Sequence, residues 1–194
     1  MMPIDTPEQT DPRVERTRTA VLDAGVSILF EEGPDSVTHA AVASASRVSR
    51  TTLYKYWPTR GDLLLEILTQ VEPHKTVELT GDVRTDIAKR AHETGDAFRN
   101  RELNKVFGSL LAQAQWDDET SKARDALVAA AMADMSVVLD HAVQNGQLPA
   151  GLDPVRAAGR LIGPVFFAAL VVQRPLEVPE VDALVDDWLA YLRT

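Results

Sequence analysis

Ser49, Arg50, Thr51, Thr52 and Lys55 crowd into one short stretch, with apolar Val48 and Leu53 set among them. Side chains of these types hydrogen-bond the phosphate oxygens and the base edges of a nucleic acid. Tyr54 and Tyr56 can add a hydroxyl to a phosphate while their rings pack. From Ser36 to Gly61 the chain carries Arg47, Arg50, Lys55, Arg60 and His39 and no Asp or Glu. The whole chain has a net charge of −9, which opposes a polyanion, so this basic window is where one could dock. Thr38, His39, Arg47 and Arg60 complete the candidate contacts.

Other chemistries find less support. The histidines, His39, His74, His92 and His141, are scattered, and no HExxH, nucleophile-elbow, phosphate-loop or dinucleotide motif accompanies them. A metal site assembled in space from His92, His141 and a carboxylate stays open, but no enzyme activity and no cofactor are expected. The chain has no cysteine, which excludes disulfides and thiolate metal sites. Residues 1–11 carry Asp5, Glu8 and Asp11 and no base, unlike a secretory leader. No strictly apolar run is longer than Val165 to Val172, which is far shorter than the roughly 20 residues that cross a bilayer. A cytoplasmic protein without membrane contact is expected.

Helices must position these residues, because helical periodicity dominates and no alternating stretch makes a convincing strand. Asp11-Pro12 offers a cap and a first-position proline, and Val14, Val21, Ala24, Ile28 and Leu29 recur until Gly33-Pro34. Thr38–Ala45 and Ser49–Trp57 read as two short helices with a tight turn at Ser46-Arg47-Val48. After Pro58, Thr59 and Asp62 form a capping box that opens a fourth helix through Leu63, Leu64, Ile67 and Leu68. Beyond Pro73 longer helices are predicted at roughly 82–98, 102–115, 119–144, 154–173 and 179–192. The expected fold is therefore all-α, a small N-terminal domain over 12–72 and a larger helical domain over 73–194.

Two short helices joined by a tight turn make a helix-turn-helix, whose second helix can lie in a major groove. Ala43 is small where the pair must approach closely, and Val42, Val48 and Leu53 are apolar where it must face a core. The run Val48-Ser49-Arg50-Thr51-Thr52-Leu53-Tyr54-Lys55-Tyr56-Trp57-Pro58-Thr59-Arg60-Gly61-Asp62-Leu63-Leu64 resembles the recognition-helix signature of the TetR family of transcriptional regulators. Val21 through Phe30 and Gly33 resemble that family's first helix, so the likeness spans about 12–72. It implies a two-domain, Ω-shaped homodimer that binds double-stranded operator DNA, and a C-terminal domain whose small-molecule effector lowers DNA affinity. The fourth helix, from Thr59 to about Glu72, would carry that change between domains. Arg47 departs from the family's usual glycine in the turn; a left-handed non-glycine there costs roughly 1 kcal/mol.

In the C-terminal domain, Leu161, Val165 and Phe167 with Leu184, Trp188 and Leu192 form apolar stripes. They are expected to build a four-helix dimer interface, or alternatively to pack within one subunit. Pro164 is expected to break the helical ladder at the Arg160 carbonyl. Phe98, Phe107, Trp116, Met132, Met135 and Phe166, with His92, Gln113 or His141 as polar contacts, are candidates for an apolar effector pocket, or for plain core. A repressor released by an effector is the leading reading. The alternatives are a helical ligand-binding or interaction protein without DNA binding, and an all-helical enzyme.

Overall fold

A computed structural model describes residues 12–71 and 78–192. The expected cap at Asp11, the break at Pro73 and the histidine at 74 lie outside them. The described residues form α1 (Pro12–Glu32), a 3₁₀ turn (Pro34–Ser36), α2 (His39–Ser46), α3 (Arg50–Tyr56), α4 (Arg60–Val71), α5 (Val83–Arg99), α6 (Arg101–Gln113), α7 (Asp118–Gln144), α8 (Pro154–Phe166), a π turn (Phe167–Val171) and α9 (Val178–Leu192). No strand occurs among them. The chain divides into two compact units, Met1–Glu72 and Pro73–Thr194.

Caps in the sequence set the helix starts. The Thr38 side chain accepts the Ala41 N–H at 3.1 Å, Asp153 accepts those of Val155 and Arg156, and Pro154 fills the first position of α8. Thr59 and Asp62 exchange bonds of 3.0 and 3.1 Å, so the capping box forms in both directions. In the N-terminal unit, Val21 and Leu29 of α1, Val42 of α2, Leu53 of α3 and Leu63, Leu64 and Ile67 of α4 close over one core. Gly25 lets α1 and α4 approach, since a Cβ there would stand 2.7 Å from Ile67 Cγ1.

In the C-terminal unit one core joins Ile87 and Ala91 of α5, Met135, Val138 and Leu139 of α7, Leu161 of α8, and Val181, Val185, Trp188 and Leu192 of α9. The Trp188 indole N–H also donates to the Ala157 carbonyl at 2.7 Å, tying α9 to α8. By length and composition α7, and α8 with its π turn, could span a bilayer. In this structure α7 instead turns Met135, Val138, Leu139 and Ala142 into the core and brings Asp134 to within 3.9 Å of Arg90 on α5.

The helix expected over 154–173 is not uniform. Pro164 has no N–H for the Arg160 carbonyl, and the ladder reopens after Phe166 with a wider spacing, the Val172 N–H reaching back to Phe167 O at 3.0 Å.

Candidate nucleic-acid interface

Helix α3 has only seven residues, too short to hold itself together in water, so its neighbours must fix its pose. Ser49 caps its start, accepting the Thr52 N–H at 3.2 Å and bonding the Thr52 hydroxyl at 2.8 Å. Leu53, fully buried, anchors its middle. Trp57, 3% exposed, closes its end, its backbone N–H bonded to Leu53 O at 2.8 Å. With that side held down, Arg50, Thr51, Tyr54, Lys55 and Tyr56 are exposed, and the Lys55 ammonium lies 5.5 Å from the Tyr56 ring centre. An exposed row of a guanidinium, hydroxyls and an ammonium with no carboxylate in the same stretch of chain can donate to phosphates and to base edges.

The turn before α3 is left-handed, with Arg47 at φ 60° and ψ 23°. A Cβ strains this conformation and glycine relieves it. Arg47→Gly is therefore expected to stabilise the protein by about 1 kcal/mol, read as a shifted urea midpoint at unchanged slope. An unchanged or lowered midpoint would show that the turn is unstrained.

Two expected contacts belong elsewhere. His39 does not face outward: its ring is buried, stacked on Tyr54 at 4.1 Å between centres, with Nε2 2.7 Å from the Trp57 carbonyl. A carbonyl only accepts, so Nε2 carries the proton. Arg60 is turned inward, donating to Val37 O at 3.2 Å and Pro34 O at 3.0 Å, and so braces the 3₁₀ turn. Thr38 is half-buried as the α2 cap, and Thr52 is half-buried beside Ser49.

In the C-terminal unit, Phe98 touches Phe107 and Phe166, at 5.3 and 4.5 Å between ring centres. Met135 lies in the larger core with Met132 at its edge, away from this aromatic group. Trp116 is corrected as a pocket wall: it is 92% exposed in the turn between α6 and α7. His92 is 2.9 Å from Asp182, and His141 lies beside Asn145, the residue that caps the end of its helix. Among the described residues no group of three or more metal-ligating side chains forms.

The stripes expected at a dimer interface are corrected too. Leu161, Val165, Trp188 and Leu192 are buried inside the subunit and Leu184 is half-buried, because α5, α7, α8 and α9 cover each other's apolar faces. Of the expected residues only Phe167 is exposed, at 59%. It continues a row that sequence reading missed, Val155, Gly159, Gly163, Phe167 and Val171, all exposed. Their spacing of four was readable; the side of the helix that the core would take was not.

Comparison with known proteins agrees with this layout. Residues 21–67 match the model of bacterial regulatory proteins of the tetR family, and residues 77–188 match a tetracyclin repressor-like C-terminal domain. The solved structure of the TetR family transcription regulator SCO0332 is 31% identical, with a TM-score of 0.73, covering 90% of this chain and 97% of that one. The uncharacterized HTH-type transcriptional regulator YdeS of Bacillus subtilis is 27% identical over 162 residues, 82% of this chain and 81% of its own. The flavonoid-responsive regulator FrrA, 17% identical with a TM-score of 0.67 over 92% of this chain and 95% of that one, shares the fold. With a helix-turn-helix whose polar face is exposed, and family matches over both units, the chain belongs to the TetR family of DNA-binding transcriptional regulators.

Proposed function

We propose that this protein is a homodimeric repressor acting in the cytoplasm, which sits on a pseudo-palindromic operator until a small molecule binds its C-terminal unit. The observation that carries this reading is the exposed, acid-free face of α3 behind a capped and anchored helix start. The row Val155, Gly159, Gly163, Phe167 and Val171 supports the dimer. A Cβ added at either glycine meets nothing within 4 Å, so a second helix can approach closely there. Two recognition helices related by a two-fold axis then read half-sites about 34 Å apart.

The effector is largely apolar and carries a hydrogen-bond donor. Phe98, Phe107 and Phe166 supply an aromatic lining, and on α6 the side-chain oxygens of Asn104 and Gln113 are buried without a partner. It acts as a population shift, binding better to a conformer whose recognition helices are wrongly spaced.

The test is binding to duplexes recovered by selection from genomic fragments, titrated at two salt concentrations against a scrambled control. Arg50→Ala should weaken selected duplexes more than scrambled ones, as expected of a base contact worth about 1–3 kcal/mol. Lys55→Ala should weaken both alike and reduce the salt slope by about one unit, as expected of a phosphate contact. Failure to select any duplex would overturn the operator reading, and equal losses for Arg50→Ala would make it a backbone contact.

A further inference from the structure

Trp57 bonds directly to α2 and α4 and is linked through Glu66 to α1. Its carbonyl accepts the His39 Nε2–H of α2 at 2.7 Å, and its indole N–H donates to Glu66 Oε2 of α4 at 2.5 Å. The other Glu66 oxygen pairs with Arg18 of α1. His39 is itself stacked on Tyr54, one turn earlier in α3. Core packing alone does not require this arrangement. A smaller aromatic ring without an N–H could sit at position 57, and Glu66 is a half-buried carboxylate on a helix whose buried residues are aliphatic, among them Leu63, Leu64, Ile67 and Leu68.

We propose that Glu66, through the Trp57 indole, is a positioning residue for operator recognition: it fixes the tilt and depth of α3 without touching DNA. A seven-residue helix anchored by Ser49 and Leu53 alone could still pivot about Leu53, and the bond to Glu66 removes that freedom at the far end. Base readout depends on this, because bidentate contacts tolerate little misplacement. Attraction to phosphates does not, because charge is read over several ångströms. Sequence-selective and unselective binding should therefore separate when the bond is cut. The inference rests on DNA binding by α3.

The experiment uses the full chain with Trp57→Phe, which keeps an aromatic ring, though a smaller one, and removes the indole N–H, and Glu66→Leu, which removes the acceptor. Glu66→Gln keeps an acceptor oxygen and loses only the charge. Binding is measured to a duplex recovered from genomic selection and to a scrambled duplex, with circular dichroism confirming the fold. Trp57→Phe and Glu66→Leu should each weaken the selected duplex about tenfold and leave the scrambled duplex and the salt slope within about twofold. The double variant should lose no more than either single one, since both cut the same bond. Glu66→Gln should retain most of the selectivity. Selective binding by Trp57→Phe at the level of the unchanged protein, additive losses in the double variant, or equal losses on both duplexes would overturn the proposal. If the unchanged protein selects no duplex, it is the operator reading that fails.

Discussion

Phe167→Asp is expected to raise the dissociation constant of the dimer on the order of a hundredfold while leaving the helical content unchanged. Phe167 is 59% exposed on the outer side of the C-terminal unit, in the row that Val155, Gly159, Gly163 and Val171 complete, so its replacement disturbs little of the packing inside the chain. In a two-fold interface the substitution enters twice, and each carboxylate would have to be buried against an apolar helix. Sedimentation over a range of protein concentrations reads the effect. Operator affinity should fall with it, since a monomer reaches only one half-site. A variant that remains dimeric at the concentrations of the unchanged protein would move the interface away from this row.

Trp188→Ala should behave in the opposite way. Its indole is buried in the core shared by α5, α7, α8 and α9, and its N–H holds the Ala157 carbonyl. Truncation leaves a large cavity and removes that bond, a loss of about 3–5 kcal/mol, enough to unfold much of a marginally stable domain. The loss should appear in thermal unfolding as the same shift at low and high protein concentration, because the contact lies within one subunit. A shift that vanishes on concentrating the protein would return Trp188 to the interface between subunits.

These two residues show what the chain's pattern discloses and what it withholds. The helix starts at Thr38 and Ser49 and the Thr59–Asp62 box were legible because their signals are local, each satisfied within a few residues of itself. Most of the outward face of α3 was legible for the same reason: Leu53 assigns one side to the core, and Ser49, Arg50, Thr51 and Lys55 are exposed as expected, while Thr52 is half-buried and Tyr54 exposed. The side of α8 that meets the core was not. From Leu161 to Val172 almost every residue is apolar, so periodicity cannot rank the faces, and the choice is made by packing against α5, α7 and α9, which no local pattern encodes. His39 misled for a related reason. An imidazole in a basic stretch reads as a contact, and only the Trp57 carbonyl, eighteen residues on, turns it inward. At Pro164 the lost hydrogen bond was predictable, but the widened turn over Phe167–Val171 that follows it was not.

The three tryptophans occupy three unlike surroundings. Trp116 stands almost wholly in solvent, Trp57 is enclosed in the N-terminal unit beside a carboxylate, and Trp188 is enclosed in the C-terminal core. The chain thus carries its own optical probes. A collisional quencher such as iodide dims the red-shifted emission of Trp116 in the native protein. What remains is divided between one fluorophore that responds when the recognition helix leaves its seat and another that responds when the C-terminal core opens. Loosening of either unit can be followed separately, without a dye.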